Sequence, residues 1–410
     1  MAEERKQPEL RFKGFTDDWI QCELGELVVQ KKSYSLSRSV EVDEETGYKY
    51  IHYGDIHTNK VNLVSDDSIL PNIGPGDYEL LEKNDLILAD ASEDYEGIAW
   101  PSVIICTPLN KIVAGLHTIV LRPHRISSIF LYYHIHTLTF RKFGSKVGTG
   151  MKVFGITAKN LLKYKLYIPT FDEQIKIEKT LLLLDSIITL EQKKIEKLEL
   201  LKQYLLQNMF ANNDGNPKLR FDNFDEEWIQ CELGEILDKR DEKIIPNADY
   251  PLMSFTSTGG IEEKGDRYDR SFLVKNSNKK YKATEFNDLI YSSNNLDVGA
   301  IGLNKFGNAC ISVVYEIFSI TNNNPDVISY IVQTPRILHK IISYRQGALY
   351  GQYKIHSTDF LKVNILIPKI AEQEKISNFI TNLDSIITLE QSKLMEYKDL
   401  KNKLLQSLFI

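Results

Sequence analysis

The chain has 410 residues, 42% of them hydrophobic and 26% charged, with a net charge of −6. That balance belongs to an ordinary globular protein long enough for two or three domains. With no run of 18 apolar residues, a transmembrane helix is excluded, and the polar start Met1-Ala2-Glu3-Glu4-Arg5-Lys6 predicts no secretory leader.

In chain order, Pro8-Glu9-Leu10-Arg11-Phe12 and Trp19-Ile20-Gln21-Cys22-Glu23-Leu24-Gly25-Glu26 open the sequence. Short β-type runs follow at Tyr48–Ile51, Asp85–Ala89, Val103–Cys106 and Thr118–Leu121, each between turn signals. Between Glu96 and Asp172 there is no acidic residue, but there are Lys111, Arg122, Arg125, Arg141, Lys142, Lys146, Lys152, Lys159, Lys163 and Lys165. Overall acidity argues against nucleic acid, yet such segregation permits a local positive field. Ser127–Phe143 has helical spacing and contains a His134-x-His136 pair. With no third ligand in sight, packing or a place on the surface is the expected role of that pair rather than metal binding.

Next comes a long segment, Asp172 to Phe210, free of proline and glycine and introduced by Ile168-Pro169. Its apolar stripe runs through Leu181, Leu184, Ile188, Glu191, Ile195, Leu198, Lys202, Leu205 and Met209. The polar Asn212-Asn213-Asp214-Gly215-Asn216-Pro217 is the linker between halves.

The second half repeats the framework of the first. Pro217-Lys218-Leu219-Arg220-Phe221 echoes the opening motif, and Trp228 through Glu235 repeats Trp19 through Glu26 unchanged. β-type runs appear at Leu289–Ser292 and Ile311–Val314, with turns at Gly259-Gly260 and Gly299–Gly302, and a helical stretch at Val327–Ser343. After Ile367-Pro368 the stripe returns as Ile380, Leu383, Ile387, Glu390, Leu394, Tyr397, Lys401, Leu404 and Leu408, within Ala371 to Phe409. Leu184 through Gln192 recurs unchanged as Leu383 through Gln391. The centres, roughly 27–167 and 236–366, resemble each other little. Identical flanks around divergent centres point to one scaffold carrying two recognition surfaces, because a solenoid would repeat its core throughout.

A heptad stripe of this length predicts a coiled coil. Antiparallel packing in one register sets Glu191 on Lys401, Lys202 on Glu390 and Ile188 on Leu404, whereas parallel pairing would set Glu on Glu. One such helix is long enough to act as a spacer, about 58 Å at 1.5 Å per residue. The fold expected is α/β: two mixed α/β recognition domains joined by two long repeated helices in an antiparallel coiled coil, with a pseudo-two-fold internal repeat. The segments are 1–167, 168–211, 212–366 and 367–410, alternately recognition domain and helix.

Near the end of each centre lies a basic, glycine-permissive loop. Arg141, Lys142, Lys146 and Lys152 mark it in the first copy; Arg345, Gln346, Tyr350, Gln352, Tyr353 and Lys354 mark it in the second. Arginine and lysine suit phosphates and guanine edges, glutamine suits adenine, and these ten residues are the candidate DNA contacts. Ser254–Thr258 and Ser292-Ser293-Asn294-Asn295 are weaker candidates of the same kind.

No catalytic pattern accompanies them. There is no GxxxxGK[ST] loop and no dinucleotide-type glycine loop after a strand. Asn323-Asn324-Pro325-Asp326 lacks the second proline and the aromatic of the adenine methyltransferase motif. Cys22, Cys106, Cys231 and Cys310 stand far apart with no CxxC pair, so free thiols in a cytoplasmic protein are expected. No cofactor is expected on this chain.

Two divergent centres, each followed by a repeated long helix, resemble the specificity subunit of Type I restriction–modification systems. The resemblance spans essentially the whole chain and is carried by the Trp-Ile-Gln-Cys-Glu-Leu-Gly-Glu blocks, the helix starts Glu173-Gln174 and Glu372-Gln373, and the Leu-Asp-Ser-Ile-Ile-Thr-Leu-Glu-Gln repeats. It implies a non-catalytic subunit whose two target recognition domains each read half of an interrupted, asymmetric sequence in double-stranded DNA. It further implies a helical spacer that sets the gap and docks two methyltransferase subunits, with translocating endonuclease subunits joining them. Adenosylmethionine, Mg²⁺ and ATP would belong to those partners, and no membrane is involved. A methyltransferase or nuclease with fused recognition domains, and a coiled-coil adaptor without DNA specificity, are the competing readings.

Overall fold

The computed structural model describes residues 7–150, 152–211, 215–256, 260–262, 279–293, 300–347 and 353–410. Two compact units emerge, and neither is a single stretch of chain. One comprises residues 1–192 and 392–410, the other residues 193–391. Each unit therefore takes in a recognition centre and half of each long helix.

In the first unit a five-stranded sheet runs in the order Val28–Lys31, Thr118–Pro123, Leu86–Ala89, Pro101–Ile104, Leu63–Val64. A four-stranded sheet, ordered Lys111–Ala114, Tyr48–Ile51, Asn72–Ile73, Glu41–Val42, stands beside it. The first sheet's apolar residues join Trp19, Phe130, Tyr133 and Phe140 in one core, which Leu405, Leu408 and Phe409 of the chain's end complete. Burying each such large side chain contributes about 1.5–3 kcal/mol.

The second unit has a four-stranded sheet ordered Leu237–Arg240, Tyr315–Ile320, Leu289–Ser292, Ile301–Leu303. This order matches the first four strands of the five-stranded sheet. Two centres with little sequence in common thus share one topology.

Around this sheet the duplicated blocks meet. Ile20–Glu23 pairs antiparallel with Lys165–Ile168, and Ile229–Glu232 pairs with Asn364–Ile367 in the same way. Gly25 N–H donates to Leu162 O at 2.9 Å and Gly234 N–H to Leu361 O at 2.8 Å. A Cβ at either glycine would stand 3.3 Å from that same carbonyl oxygen, tight enough that the neighbour would have to shift.

The opening motif locks onto the long helix that ends its own half. Arg11 grips Glu173 with two hydrogen bonds, 2.8 and 2.9 Å, and Arg220 grips Glu372 at the same two distances. Beside each carboxylate, Gln174 Nε2 donates to Pro169 O and its Oε1 accepts from Ser127 N–H, while Gln373 does the same with Pro368 O and Asn324 N–H. The Ile-Pro and Glu-Gln signals are thus parts of one joint.

The long helices run Phe171–Asn208 and Ile370–Ser407. In the second unit, Lys194 pairs with Glu390 at 2.8 Å and Lys202 with Asp384 at 2.6 Å, so their segments there are antiparallel. In the first unit, Lys401 pairs with Asp185 at 2.5 Å, while Ile177 and Leu181 share a core with Leu405 and Leu408; the segments are antiparallel there too. Leu184, Ile188, Ile195, Leu383 and Ile387 are buried, and Leu198, Leu394 and Tyr397 half-buried.

The direction expected from the stripe holds, but the register does not. Lys401 takes Asp185 rather than Glu191, and Lys202 takes Asp384 rather than Glu390, a displacement of six residues. Asp185 and Asp384 each stand beside a buried leucine of the stripe, Leu184 and Leu383, so the observed register keeps the apolar stripe inside. In the first unit Tyr133 Oη also donates to Asp185 at 2.7 Å, so the recognition domain holds the carboxylate that Lys401 pairs with.

Each expected helix ahead of the basic loop is in fact two. Ser128–Ile135 and Leu138–Val147 are separated by Thr137, whose hydroxyl caps the second by accepting from Phe140 N–H. Pro325–Gln333 and Pro335–Ser343 are separated at Pro335, which opens a helix but has no N–H to continue one. Asn324, in the motif dismissed as catalytic, is the N-cap of the first of these.

Candidate nucleic-acid interface

Each helix pair delivers the chain to an exposed hairpin. In the first unit it closes through the reciprocal bonds of Thr149 and Gly155, and Phe154–Gly155 pairs with Ala91–Ser92. Gly150 turns it with φ +147°, where any Cβ would fall on Val153 O. In the second unit Gln346–Gly347 pairs with Tyr353–Lys354. The hairpins hang from equivalent places: Ile156 N–H donates to Asp90 O, and Ile355 N–H to Ser293 O.

Lys142, Lys146 and Lys152 lie on or beside the first hairpin and are all exposed, an arrangement suited to phosphate. Next to Lys152, the ring of Phe154 lies 3.9 Å from that of Tyr95, which is itself exposed. In the second unit Arg345 and Gln346 are exposed, Lys354 is half-buried, and Gln346 Nε2 donates to Asp359 at 3.0 Å. Tyr350 and Gln352 lie outside the described residues, as does the side chain of Tyr353. Ser257 and Thr258, Asn294 and Asn295 fall outside them too.

Arg141 corrects the expectation. Its guanidinium turns inward, donating to the carbonyls of Ile135, Glu96 and Ile98 at 2.7–2.8 Å, and burial lowers its pKa to about 10. It staples the helix pair to the loop ahead of Ala99 and is not available to a phosphate. Arg122, also in the acid-free stretch, is held by Asp85 at 2.7 and 2.8 Å.

The histidine pair packs, as expected. His134 is fully buried, shares a 2.8 Å hydrogen bond with Tyr164, and has its pKa lowered to about 4 by burial. His136 stands edge-on to Trp100 and Tyr132.

One repeat inside the divergent centres escaped the sequence reading. Glu82-Lys83-Asn84-Asp85-Leu86-Ile87 corresponds to Glu285-Phe286-Asn287-Asp288-Leu289-Ile290. Both asparagines adopt left-handed backbone, φ +74° and +68°, which asparagine tolerates. Both aspartates accept from the backbone N–H three residues earlier, at 2.8 and 2.7 Å. Asp85 is paired with Arg122 on one strand, but Asp288 with Arg240 on another. Moving the cation hides the correspondence, although the Glu-x-Asn-Asp-Leu-Ile string would have shown it.

The sequence profile of the Type I restriction modification DNA specificity domain matches residues 16–200 and again 225–397. The chain belongs to that family. A protein of Methanocaldococcus jannaschii that carries the provisional name type I restriction enzyme MjaX specificity subunit is 24% identical over 315 residues, 72% of this chain and 71% of its own length. A crystal structure of the type I restriction–modification S subunit from M. genitalium has the same fold, with a TM-score of 0.58 at 14% identity over 98% of this chain and 99% of that one. A chain solved for the complex assembly and conformational transition of the type I R-M system gives 0.56 at 14% identity over 96% and 98%. A specificity subunit confers the DNA target on its complex and is not itself the catalyst. Among the described residues, no helix of this one is long and apolar enough to cross a membrane.

Proposed function

We propose that this specificity subunit reads a bipartite, asymmetric sequence in double-stranded DNA, one half with each recognition domain. It docks two methyltransferase subunits, and endonuclease subunits join them. The observation that carries this reading is a repeated joint holding unrepeated edges. The Arg11–Glu173 and Arg220–Glu372 latches are superposable in chemistry, while the hairpins they support differ in sequence. A duplicated frame with a palindromic target would have no need of two different edges. Lys142, Lys146 and Lys152 on one side, and Arg345, Gln346 and Lys354 on the other, are the DNA contacts within the described residues. Exposed Leu183, Leu190, Leu200, Phe379, Leu389 and Met395 on the long helices supply apolar surface for the methyltransferase subunits.

The test is methylation mapping in a host that expresses the chain with its methyltransferase partner. A two-part asymmetric motif is expected only when this chain is present. Exchanging residues 27–167 for the centre of another specificity subunit should then change one half of the motif and leave the other. An active partner with no new motif would overturn the reading.

A further inference from the structure

Asp90 follows the central strand of the first unit's large sheet and ties three elements together. Its N–H donates to His117 O at 3.0 Å, and its carbonyl accepts from Ile156 N–H at 2.9 Å, the root of the basic hairpin. Its carboxylate lies 3.0 Å from His117 Nδ1. His117 is 47% exposed and adopts left-handed backbone, φ +58°. Histidine is among the residues that enter that region more readily than most, as asparagine does.

His117 belongs to a continuous face. Tyr53 stands edge-on to it at 5.2 Å and to His57 at 6.0 Å, while His57 Nε2 bonds Ala91 O at 2.7 Å, where the hairpin pairs. The imidazole, 47% exposed, is thus tied through Asp90 to the root of the hairpin that carries Lys152, with Nδ1 committed to Asp90.

The second unit keeps the scaffold here and changes the chemistry. Strand pairing and the Ile355 N–H to Ser293 O bond make Ser293 the counterpart of Asp90 and Val314 the counterpart of His117. Ser293 Oγ donates to Val314 O at 3.1 Å, so the link persists while an Asp–His pair becomes Ser–Val. Val314 is 47% exposed, like His117. The same carbonyl is thus held by a backbone N–H in one unit and by a side-chain hydroxyl in the other, while the exposed side chain beside it is exchanged, as two recognition domains reading different sequences require.

We propose that His117, oriented by Asp90, is a specificity-determining DNA contact of the first recognition domain, with Val314 at the corresponding place in the second. This rests on the DNA-reading function proposed above. An imidazole nitrogen fits a hydrogen-bonding group on a base edge, and a valine fits the methyl of thymine.

The experiment compares the wild-type subunit, His117→Gly and His117→Asn, each assembled with the methyltransferase partner. Methylation is measured by motif mapping in cells and by rate on the mapped target. Glycine and asparagine both accept the left-handed backbone, so neither change should lower the melting temperature. The expected result is at least a tenfold slower methylation, or a degenerate base in one half of the motif only, at an unchanged or higher melting temperature. Methylation within twofold of wild type at an unaltered motif overturns the proposal. So does a loss of activity that tracks a lower melting temperature in both variants. A wild-type complex that methylates no bipartite motif would instead sink the DNA-reading function, and the two failures are thereby distinguished.

Discussion

Lys401 Nζ lies 2.5 Å from the Asp185 carboxylate, and Lys202 Nζ lies 2.6 Å from Asp384, its counterpart in the repeat. The aspartate of the repeated Leu-Asp-Ser-Ile-Ile motif is therefore where the two long helices are keyed together. In the first unit Tyr133 joins the same carboxylate, so this point also fixes helix against recognition domain.

Asp185→Asn should lower stability by about 1–2 kcal/mol, since Asp185 and Lys401 are each only a quarter exposed and a hydrogen bond weakens with the ion pair. A double-mutant cycle with Lys401→Met, followed by chemical denaturation, should give a coupling of up to about 1 kcal/mol. A larger coupling between Lys401 and Glu191 than between Lys401 and Asp185 would reject the register described.

The Arg11–Glu173 latch should matter more. Glu173 is 1% exposed, and truncating its partner leaves a buried carboxylate unpaired, which costs about 3–5 kcal/mol. Arg11→Ala and Arg220→Ala should each shift denaturation midpoints strongly. Arg11→Lys should recover part of the loss, because an ammonium retains the charge but not the two-pronged geometry. Equal midpoints for wild type and Arg11→Ala would show the latch to be idle.

Arg141 and Lys152 should separate stability from binding. Arg141→Ala removes donors from three carbonyls and should cost about 2–4 kcal/mol in stability. Lys152→Ala should leave stability within about 0.5 kcal/mol but reduce the salt dependence of DNA binding by about one unit of slope. The check is paired thermal melts and binding titrations across salt concentrations. An unchanged slope for Lys152→Ala would remove it from the interface.

Acid should destabilise the first unit through His134. The unfolded chain takes up a proton near pH 6.5, but the buried ring does so only near pH 4. The contribution is thus fully present above pH 6.5 and falls away toward pH 4, amounting to about 3 kcal/mol. His134→Phe, packed against Phe130 and Phe409, should flatten stability between those values. A slope unaltered by that substitution would assign the acid sensitivity elsewhere.

The sequence by itself determined the duplicated frame, the two long helices and their antiparallel pairing. Local signals suffice for these: uninterrupted heptads, proline at each entry, and blocks that recur unchanged in the second half. It also placed the hairpins, because glycine and basic residues concentrate there. Only the tertiary structure decided what those signals touch. Arg11 and Glu173 lie in separate repeated blocks, and nothing local says that one grips the other. Charge matching along the stripe pointed to Glu191 and Glu390 as the partners, whereas the structure sets Lys401 on Asp185 and Lys202 on Asp384, six residues away. Arg141 and Lys152 have the same sign and belong to the same basic stretch of sequence. Burial turns one into a structural staple and leaves the other to solvent, because a side chain's surroundings are assembled from strands and helices far away in sequence.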